Sequence, residues 1–184
     1  GIFTIDVTES RDFEKAVRVQ RDVALASSRA STVDGLMNEV LPIITRLTGF
    51  DCGGLYLVDR ATGDLNLVFH HGLPEGFVKT ASRYTKGTPH YEIAMRGEPM
   101  HIKYDVLRSI EPDEHNRELL RAISLLPIRN REGVFADLNL ASHNVDEIPR
   151  SSQVGVEVLA AQLGPALERI LAESRLRGQL EAIR

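Results

Sequence analysis

The chain has 184 residues, of which 42% are hydrophobic, and a formal net charge of −4 at pH 7. A chain of this length and composition buries about two-thirds of the surface that its unfolded form exposes, which predicts one folded core. The negative charge disfavours nucleic acid and anionic lipid as partners, and no apolar run reaches the roughly 18 to 20 residues of a membrane-spanning helix.

The N-terminal part of the chain predicts two helices. Residues Gly1 to Ser10 have a partly extended character, and the apolar spacing from Asp12 to Ala30 indicates a helix with a narrow face. Such a face pairs with a copy of itself or with a neighbouring helix. Thr32 is a suitable N-cap for a second helix, which is predicted to end at Gly49.

Beyond the second helix the hydrophobic period changes from 3.6 to 2, which indicates strands. Gly54 to Asp59 and Asp64 to His70 predict a hairpin. The irregular stretch from Leu73 to Pro99 contains two helical segments, at Glu75 to Ser82 and Tyr91 to Arg96. We expect this stretch to lie across one face of the sheet.

The C-terminal half predicts the rest of the sheet and a long helix. Strands are expected at Met100 to Tyr104, Ala122 to Ile128 and Val134 to Ala141, with a helix around Asp113 to Arg121 before the last two. A final helix runs from Ser151 to the C-terminus, and its apolar face is predicted to consist of Val154, Val158, Leu159, Leu163, Leu167 and Ile170. Strands joined by hairpins indicate an antiparallel sheet with helices on its faces, an α+β fold.

Several strings of the sequence, in this order, resemble the GAF domain family. They are Ile44 to Asp51 ahead of the first strand, Gly54 to Asp59 within it, Gly97 to Ile102 entering the third, and Leu126 to Ile128 followed by Val134 to Ser142. The resemblance covers about Thr32 to Ala172. It implies a six-stranded antiparallel sheet with long terminal helices, a small-molecule pocket roofed by Leu73 to Asp105, and dimerisation through the terminal helices.

The resemblance also suggests how the chain is divided. Ile5 to Ser10 is similar to the string that closes many PAS domains, so residues 1–31 are predicted to be a PAS-exit string and a linker helix. Residues 32–172 form the predicted GAF domain. Residues 173–184 are expected to begin a signalling coiled coil, because Leu176, Leu180 and Ile183 keep a 4-then-3 spacing. The chain is therefore expected to be part of a longer protein.

Aromatic and cationic residues of the roof are the predicted ligand contacts. Arg83, Tyr84, His90, Tyr91 and Arg96 together suit an anionic or planar ligand, and the alternative is a polar loop with two packed tyrosines. The first four of these residues are predicted to contact the ligand. His101 flanks the roof, and either His101 or His90 is a candidate axial ligand of haem. Covalent bilin attachment is disfavoured. Family members that attach bilins place a cysteine next to the histidine that corresponds to His90, and the present chain has Pro89 there.

Phe135 is the sixth predicted ligand contact and a departure from the family pattern. The family usually has Gly-hydrophobic-Leu where this chain has Phe135 to Leu138, so the phenyl ring is expected to narrow the cavity. The single cysteine, Cys52, excludes an intramolecular disulfide and fits a reducing, cytoplasmic compartment. The spacing places no histidine beside it, which predicts a structural thiol. Family members that reduce free methionine sulfoxide use several cysteines, so that reaction is not expected.

The sequence predicts regulation rather than catalysis. No phosphate loop, nucleophile elbow or metalloprotease motif is present, nor are the phosphoacceptor and ATP-binding motifs of a kinase. We therefore expect a non-catalytic sensory domain of a cytoplasmic signalling protein, such as a histidine kinase. Its expected partners are a second copy, an unidentified small molecule, and adjoining PAS and kinase domains. The alternative is a structural dimerisation module whose pocket is collapsed and filled by Phe135 and other side chains, and the cavity volume distinguishes the two.

Overall fold

A computed structural model describes residues 7–110 and 119–182 of the chain. These residues form an antiparallel sheet of six strands in the order β3-β2-β1-β6-β5-β4. The strands are β1 (Cys52–Val58), β2 (Leu65–His71), β3 (Arg83–Tyr84), β4 (Met100–Lys103), β5 (Ala122–Asn130) and β6 (Gly133–Ser142). The predicted α+β fold with a six-stranded antiparallel sheet is confirmed. The short β3 is the strand that hydrophobic alternation did not reveal, because two residues are too few to show a period.

Three long helices cover one face of the sheet: α1 (Val7–Arg29), α2 (Val33–Thr48) and α6 (Arg150–Ala182). As predicted, the Thr32 hydroxyl caps α2 by accepting from the Gly35 amide, and Gly49 ends the helix with a φ of 77°. The helices and the sheet share the main hydrophobic core, whose largest fully buried side chains are Leu36, Met37, Leu41, Ile44, Leu55, Leu126, Leu138, Leu140, Leu163 and Leu167.

The first and last helices run parallel to each other. Gln162 Nε2 donates to the carbonyl oxygen of Gln20 at 3.1 Å, and the Arg169 guanidinium donates to the carbonyl oxygens of Ser27 and Ala30, both at 2.9 Å. Residue numbers therefore rise together along α1 and α6. The N-terminus of α1 and the C-terminus of α6 consequently lie at opposite ends of the three-helix layer.

The opposite face of the sheet is covered by the segment between β2 and β5, which we call the roof. Its helices α3 (Glu75–Thr80), α4 (Pro89–Met95) and α5 (Tyr104–Ile110) lie over this face, and its strands β3 and β4 form the two edges of the sheet. The predicted placement of this segment across one sheet face is confirmed. No helix in the described parts of the chain combines the length and apolar character needed to cross a bilayer.

Several local predictions are wrong. Val7 to Ser10 belongs to α1 rather than to an extended segment. Residues 111–118, which hold most of the predicted helix at Asp113 to Arg121, lie outside the described residues, and Leu119 to Arg121 is not helical. A helix that the sequence did not predict, α5, follows β4 directly.

The buried face of α6 also differs from the prediction. Val154 and Val158 are 46% and 42% exposed, whereas Ala160 and Gly164 are buried. A Cβ atom at Gly164 would lie only 3.3 Å from Cγ2 of Ile128, so the absence of a side chain allows α6 to approach β5 closely. Leu159, Leu163, Leu167 and Ile170 are buried as predicted. Val154 and Val158 were placed on this face in error, because hydrophobicity ranks valine above alanine and glycine.

Candidate functional site

Aromatic side chains fill the space between the roof and the centre of the sheet. The Tyr84 ring, from β3, stacks on the His90 ring of α4 with centroids 3.9 Å apart and an interplanar angle of 3°. Tyr56 of β1 lies against Tyr84 with centroids 5.2 Å apart, and its hydroxyl donates to the carbonyl oxygen of Ala81 at 2.7 Å. Tyr91 packs in the same apolar cluster, and burial raises the pKa of its phenol.

The His90 ring also belongs to a buried polar cluster, together with Asp137 and Asn139. Asp137 and Asn139 are two residues apart on β6 and therefore face the same side of the sheet. The three residues are 2%, 0% and 7% exposed, respectively. Asn139 Nδ2 lies 2.9 Å from His90 Nε2, and the nearer carboxylate oxygen of Asp137 lies 3.8 Å from the same nitrogen. Among the described residues, no group donates a hydrogen bond to either carboxylate oxygen of Asp137.

The space left beneath the roof is small. The cavity that His90, Asn139 and Tyr56 line has a volume of about 30 Å³. One water molecule occupies about that volume in the liquid, whereas small-molecule sites usually measure about 300–1,000 Å³. In this conformation the roof is closed, so a ligand larger than water enters only if the roof moves. In this conformation the cavity is also too small for a haem ligated by His90.

Three of the six predicted ligand contacts, Tyr84, His90 and Tyr91, come together beneath the roof. Arg83 does not join them, because its half-exposed guanidinium forms an ion pair with Asp64 at the edge of the sheet. Hydrogen bonding from Arg83 is the main cause that holds the pKa of the Asp64 carboxyl below its usual value.

His101 and Phe135 both face the helical layer instead of the roof. His101 Nδ1 lies 2.6 Å from the Ser124 hydroxyl, and Nε2 lies 2.8 Å from a carboxylate oxygen of Glu157 in α6. Phe135 packs against the main core and lines a surface cleft beside α6. The register between β5 and β6 shifts at this point, because Ile128 pairs with Ala136 but Arg129 pairs with Val134. Phe135 is therefore an extra, unpaired residue, and its side chain lies on the helical face of the sheet instead of the face beneath the roof. The expectation that Phe135 fills the roof cavity is therefore wrong.

A second cluster was missed because its members are far apart in sequence. The prediction that no histidine lies beside Cys52 is wrong: His143 Nδ1 is 3.9 Å from the Cys52 sulfur. The pairing of Cys52 with Ala141 brings the start of β1 to the end of β6, and His143 follows β6 directly. Asp51 Oδ1 lies 2.7 Å from His143 Nδ1. Burial raises the pKa of Asp51, but hydrogen bonds from His143 and Cys52 together lower it below its usual value.

Comparisons with known proteins agree with this architecture. The family model described as "GAF domain" matches residues 30–168. The fold is similar to a GAF domain of a phosphoenolpyruvate-protein phosphotransferase from Coxiella burnetii, with 15% identity, a TM-score of 0.74, and coverage of 88% of this chain and 98% of that one. It is also similar to the GAF domain of a putative sensor histidine kinase from Pseudomonas syringae pv. tomato, with 19% identity, a TM-score of 0.66, and coverage of 97% and 99%.

A third similar structure is an enzyme. It is the free methionine-R-sulfoxide reductase from Neisseria meningitidis in complex with its substrate, with 15% identity, a TM-score of 0.69, and coverage of 86% of this chain and 93% of that one. No curated protein matches the sequence. At these identities, the likeness to solved structures concerns the fold alone.

Proposed function

The chain belongs to the GAF domain family, and from this premise we propose that it is a regulatory domain that binds a small molecule beneath its roof and relays the binding along its terminal helices. The observation that carries the proposal is Asp137, a fully buried carboxylate without a hydrogen-bond donor among the described residues. Leaving a buried polar group unsatisfied costs about 1–3 kcal/mol, and more when the group is charged. A ligand that supplies a donor to this carboxylate recovers part of that cost.

The chemistry of the cluster favours a ligand with hydrogen-bond donors or a positive charge. The sequence of the roof suggested an anionic ligand, but the Asp137 carboxylate would repel an anion. Arg83 could not offset this repulsion, because its guanidinium forms an ion pair with Asp64. The His90 ring, which stacks on the Tyr84 ring, lies with its Nε2 atom 3.8 Å from the Asp137 carboxylate. The proposed ligand is therefore a small amine, amidine or similar donor that the roof admits by moving outward.

The parallel arrangement of α1 and α6 supports the relay. A signal that enters at the N-terminus of α1 leaves at the far end of α6, and Arg169 joins the two helices through the carbonyl oxygens of Ser27 and Ala30. A coupling free energy of about 1–3 kcal/mol between the ligand site and the helices is sufficient for regulation. We extend the proposal to a cytoplasmic histidine kinase with an upstream PAS domain. Two observations support it: the similar fold of the GAF domain from a putative sensor histidine kinase, and the string at Ile5 to Ser10.

A thermal-shift screen of small amines, amidines and carboxylates tests the ligand proposal. We expect amines or amidines, but not carboxylates, to raise the melting temperature, since a ligand that binds only the folded state stabilises it. The shift should disappear in Asp137→Asn and persist in Asp34→Asn, a matched change on the exposed surface of α2. A shift that survives in Asp137→Asn would place the ligand elsewhere.

The second candidate function is a structural dimerisation module. The closed cavity of about 30 Å³ favours it, with the tyrosines and His90 filling the space that Phe135 was expected to fill. Native mass spectrometry that finds the bare polypeptide, together with a screen that yields no stabilising compound, would favour this module over the sensor.

Both candidates predict dimerisation through the end of α6, where Leu176 and Leu180 are 60% and 66% exposed. Light scattering should give a dimer mass for the whole chain and a monomer mass for a chain that ends at Ala172. The double variant Leu176→Ser/Leu180→Ser should also be monomeric, whereas Arg177→Ser, on the same exposed segment, should remain dimeric. Equal masses for the whole and shortened chains would remove α6 from the proposed interface.

A further inference from the structure

The side chains of Asp51, Cys52 and His143 converge at one end of the β1–β6 pair. Their ligand-type atoms, a carboxylate oxygen, the thiol sulfur and an imidazole nitrogen, all lie within 4.8 Å of one another. Asp51 precedes β1, Cys52 is its first residue, and His143 follows the last residue of β6. None of the three lines the cavity beneath the roof, so this cluster is separate from the proposed ligand site.

Hydrogen bonds around the cluster fix the orientation of its ligands. Asp51 Oδ2 accepts from the His143 amide at 3.0 Å and from Asn144 Nδ2 at 2.6 Å, which turns Oδ1 toward the histidine ring and the thiol. The Ser142 hydroxyl accepts from the Asn144 amide at 3.1 Å and donates to the carbonyl oxygen of Gly49 at 2.8 Å. Outer partners of this kind orient metal ligands and tune their basicity.

The geometry does not suit a cysteine nucleophile. In a nucleophile-His-Asp relay, one ring nitrogen contacts the nucleophile and the other contacts the carboxylate. Here the same nitrogen, His143 Nδ1, faces both Asp51 Oδ1 at 2.7 Å and the Cys52 sulfur at 3.9 Å. Three donor atoms that point toward a common centre are instead the arrangement of a metal site.

The distances are close to those of a tetrahedral zinc ion. Zinc bonds of about 2.3 Å to sulfur and about 2.0–2.1 Å to nitrogen and oxygen imply a sulfur-to-nitrogen separation of roughly 3.6 Å and a nitrogen-to-oxygen separation of roughly 3.3 Å. The observed separations are 3.9 Å and 2.7 Å. The sulfur and the nitrogen would therefore approach each other by roughly 0.3 Å, and the nitrogen and the oxygen would separate by roughly 0.6 Å, to accommodate the ion.

We propose that Asp51, Cys52 and His143 bind a zinc ion, with water as the fourth ligand. One thiolate, one imidazole and one carboxylate form a borderline donor set that suits Zn²⁺, and three protein ligands leave a fourth position open. Cys52 is buried, but the side chains of Asp51 and His143 are each 30% exposed, so the ion enters from their side. Binding replaces the thiol proton of Cys52 by the metal and releases that proton to solvent, so affinity falls as the pH is lowered.

Titration of the whole chain with Co²⁺, followed by displacement with Zn²⁺, tests the site. Because Cys52 is the single cysteine, a thiolate-to-cobalt charge-transfer band identifies it as a ligand without ambiguity. The wild-type chain should show this band. His143→Gln and Asp51→Asn should each weaken Zn²⁺ binding by at least about tenfold, the lower limit for loss of an outer partner of a metal ligand. His70→Gln, which changes an exposed histidine outside the cluster, should bind as the wild type does.

Two results would overturn the proposal. One is the absence of the band in the wild-type chain at saturating Co²⁺. The other is unchanged Zn²⁺ affinity in His143→Gln, which would mean that His143 is not a ligand of the ion. Cys52→Ser should abolish the band. If this buried substitution prevents folding, His143→Gln still tests the site, because Cys52 remains in place and circular dichroism can verify that the variant is folded. If the zinc site is disproved, the proposed ligand site beneath the roof is unaffected, because the two sites share no side chain.

Discussion

Leu163→Ala should lower the free energy of unfolding by about 2–5 kcal/mol, the usual cost of truncating a buried leucine. Leu163 is 0% exposed and lies in the core cluster that α6 shares with α1, α2 and the sheet. The loss combines the apolar surface returned to water with the cavity left behind. Such a cost would establish that α6 is an integral part of the domain core, as a relay through this helix requires.

Val158→Ala provides the matched control on the same helix. Its side chain is 42% exposed, and a surface substitution of this kind should change the free energy of unfolding by no more than about 0.5 kcal/mol. Urea denaturation of the wild-type chain and both variants measures the difference, and equal m-values verify that the unfolded states are comparable. Equally small effects at the two positions would mean that α6 does not pack on the core in solution, and the relay proposal would fail with it.

The sequence predicted the long strands and α2 from their apolar pattern and caps, and it also predicted the short elements α3, α4 and β4. The strands β1, β2, β5 and β6 are seven to ten residues long, so each provides an apolar run that is long enough to recognise. Helix α2 carries both a capping threonine and a left-handed glycine, which mark its ends. Strand β3 has only two residues, which are too few for a period, and α5 begins at Tyr104, which the sequence analysis assigned to the preceding strand.

The candidate sites were harder to predict because they depend on pairing between distant strands. The alternation of Asp137 and Asn139 in an otherwise apolar strand was a readable signal of a polar position beneath the roof. By contrast, the register shift that reverses Phe135 has no signature in the local pattern. Cys52 and His143 are 91 residues apart, and only the β1–β6 register places them together.

Asp137→Asn should raise the free energy of unfolding of the ligand-free chain by about 1–3 kcal/mol, because it removes a buried carboxyl group that no donor in the described residues satisfies. Most substitutions in a core destabilise, so a gain is a specific result. Asp34→Asn should give the opposite sign, with a loss of about 0.3–1 kcal/mol, because an acidic residue in the first turn of α2 interacts favourably with the helix dipole. Urea denaturation at neutral pH without added ligand measures both.

The sign of the Asp137→Asn effect decides between two accounts of the cluster. A gain means that the carboxylate is unsatisfied in the closed domain and that a donor ligand has free energy to recover there. A loss of about 3–5 kcal/mol is the cost of breaking a buried ion pair, and it would mean that Asp137 is paired with a protonated His90 across the 3.8 Å that separates them. In that case the cluster is complete without a ligand, and the structural dimerisation module becomes the better account of the domain.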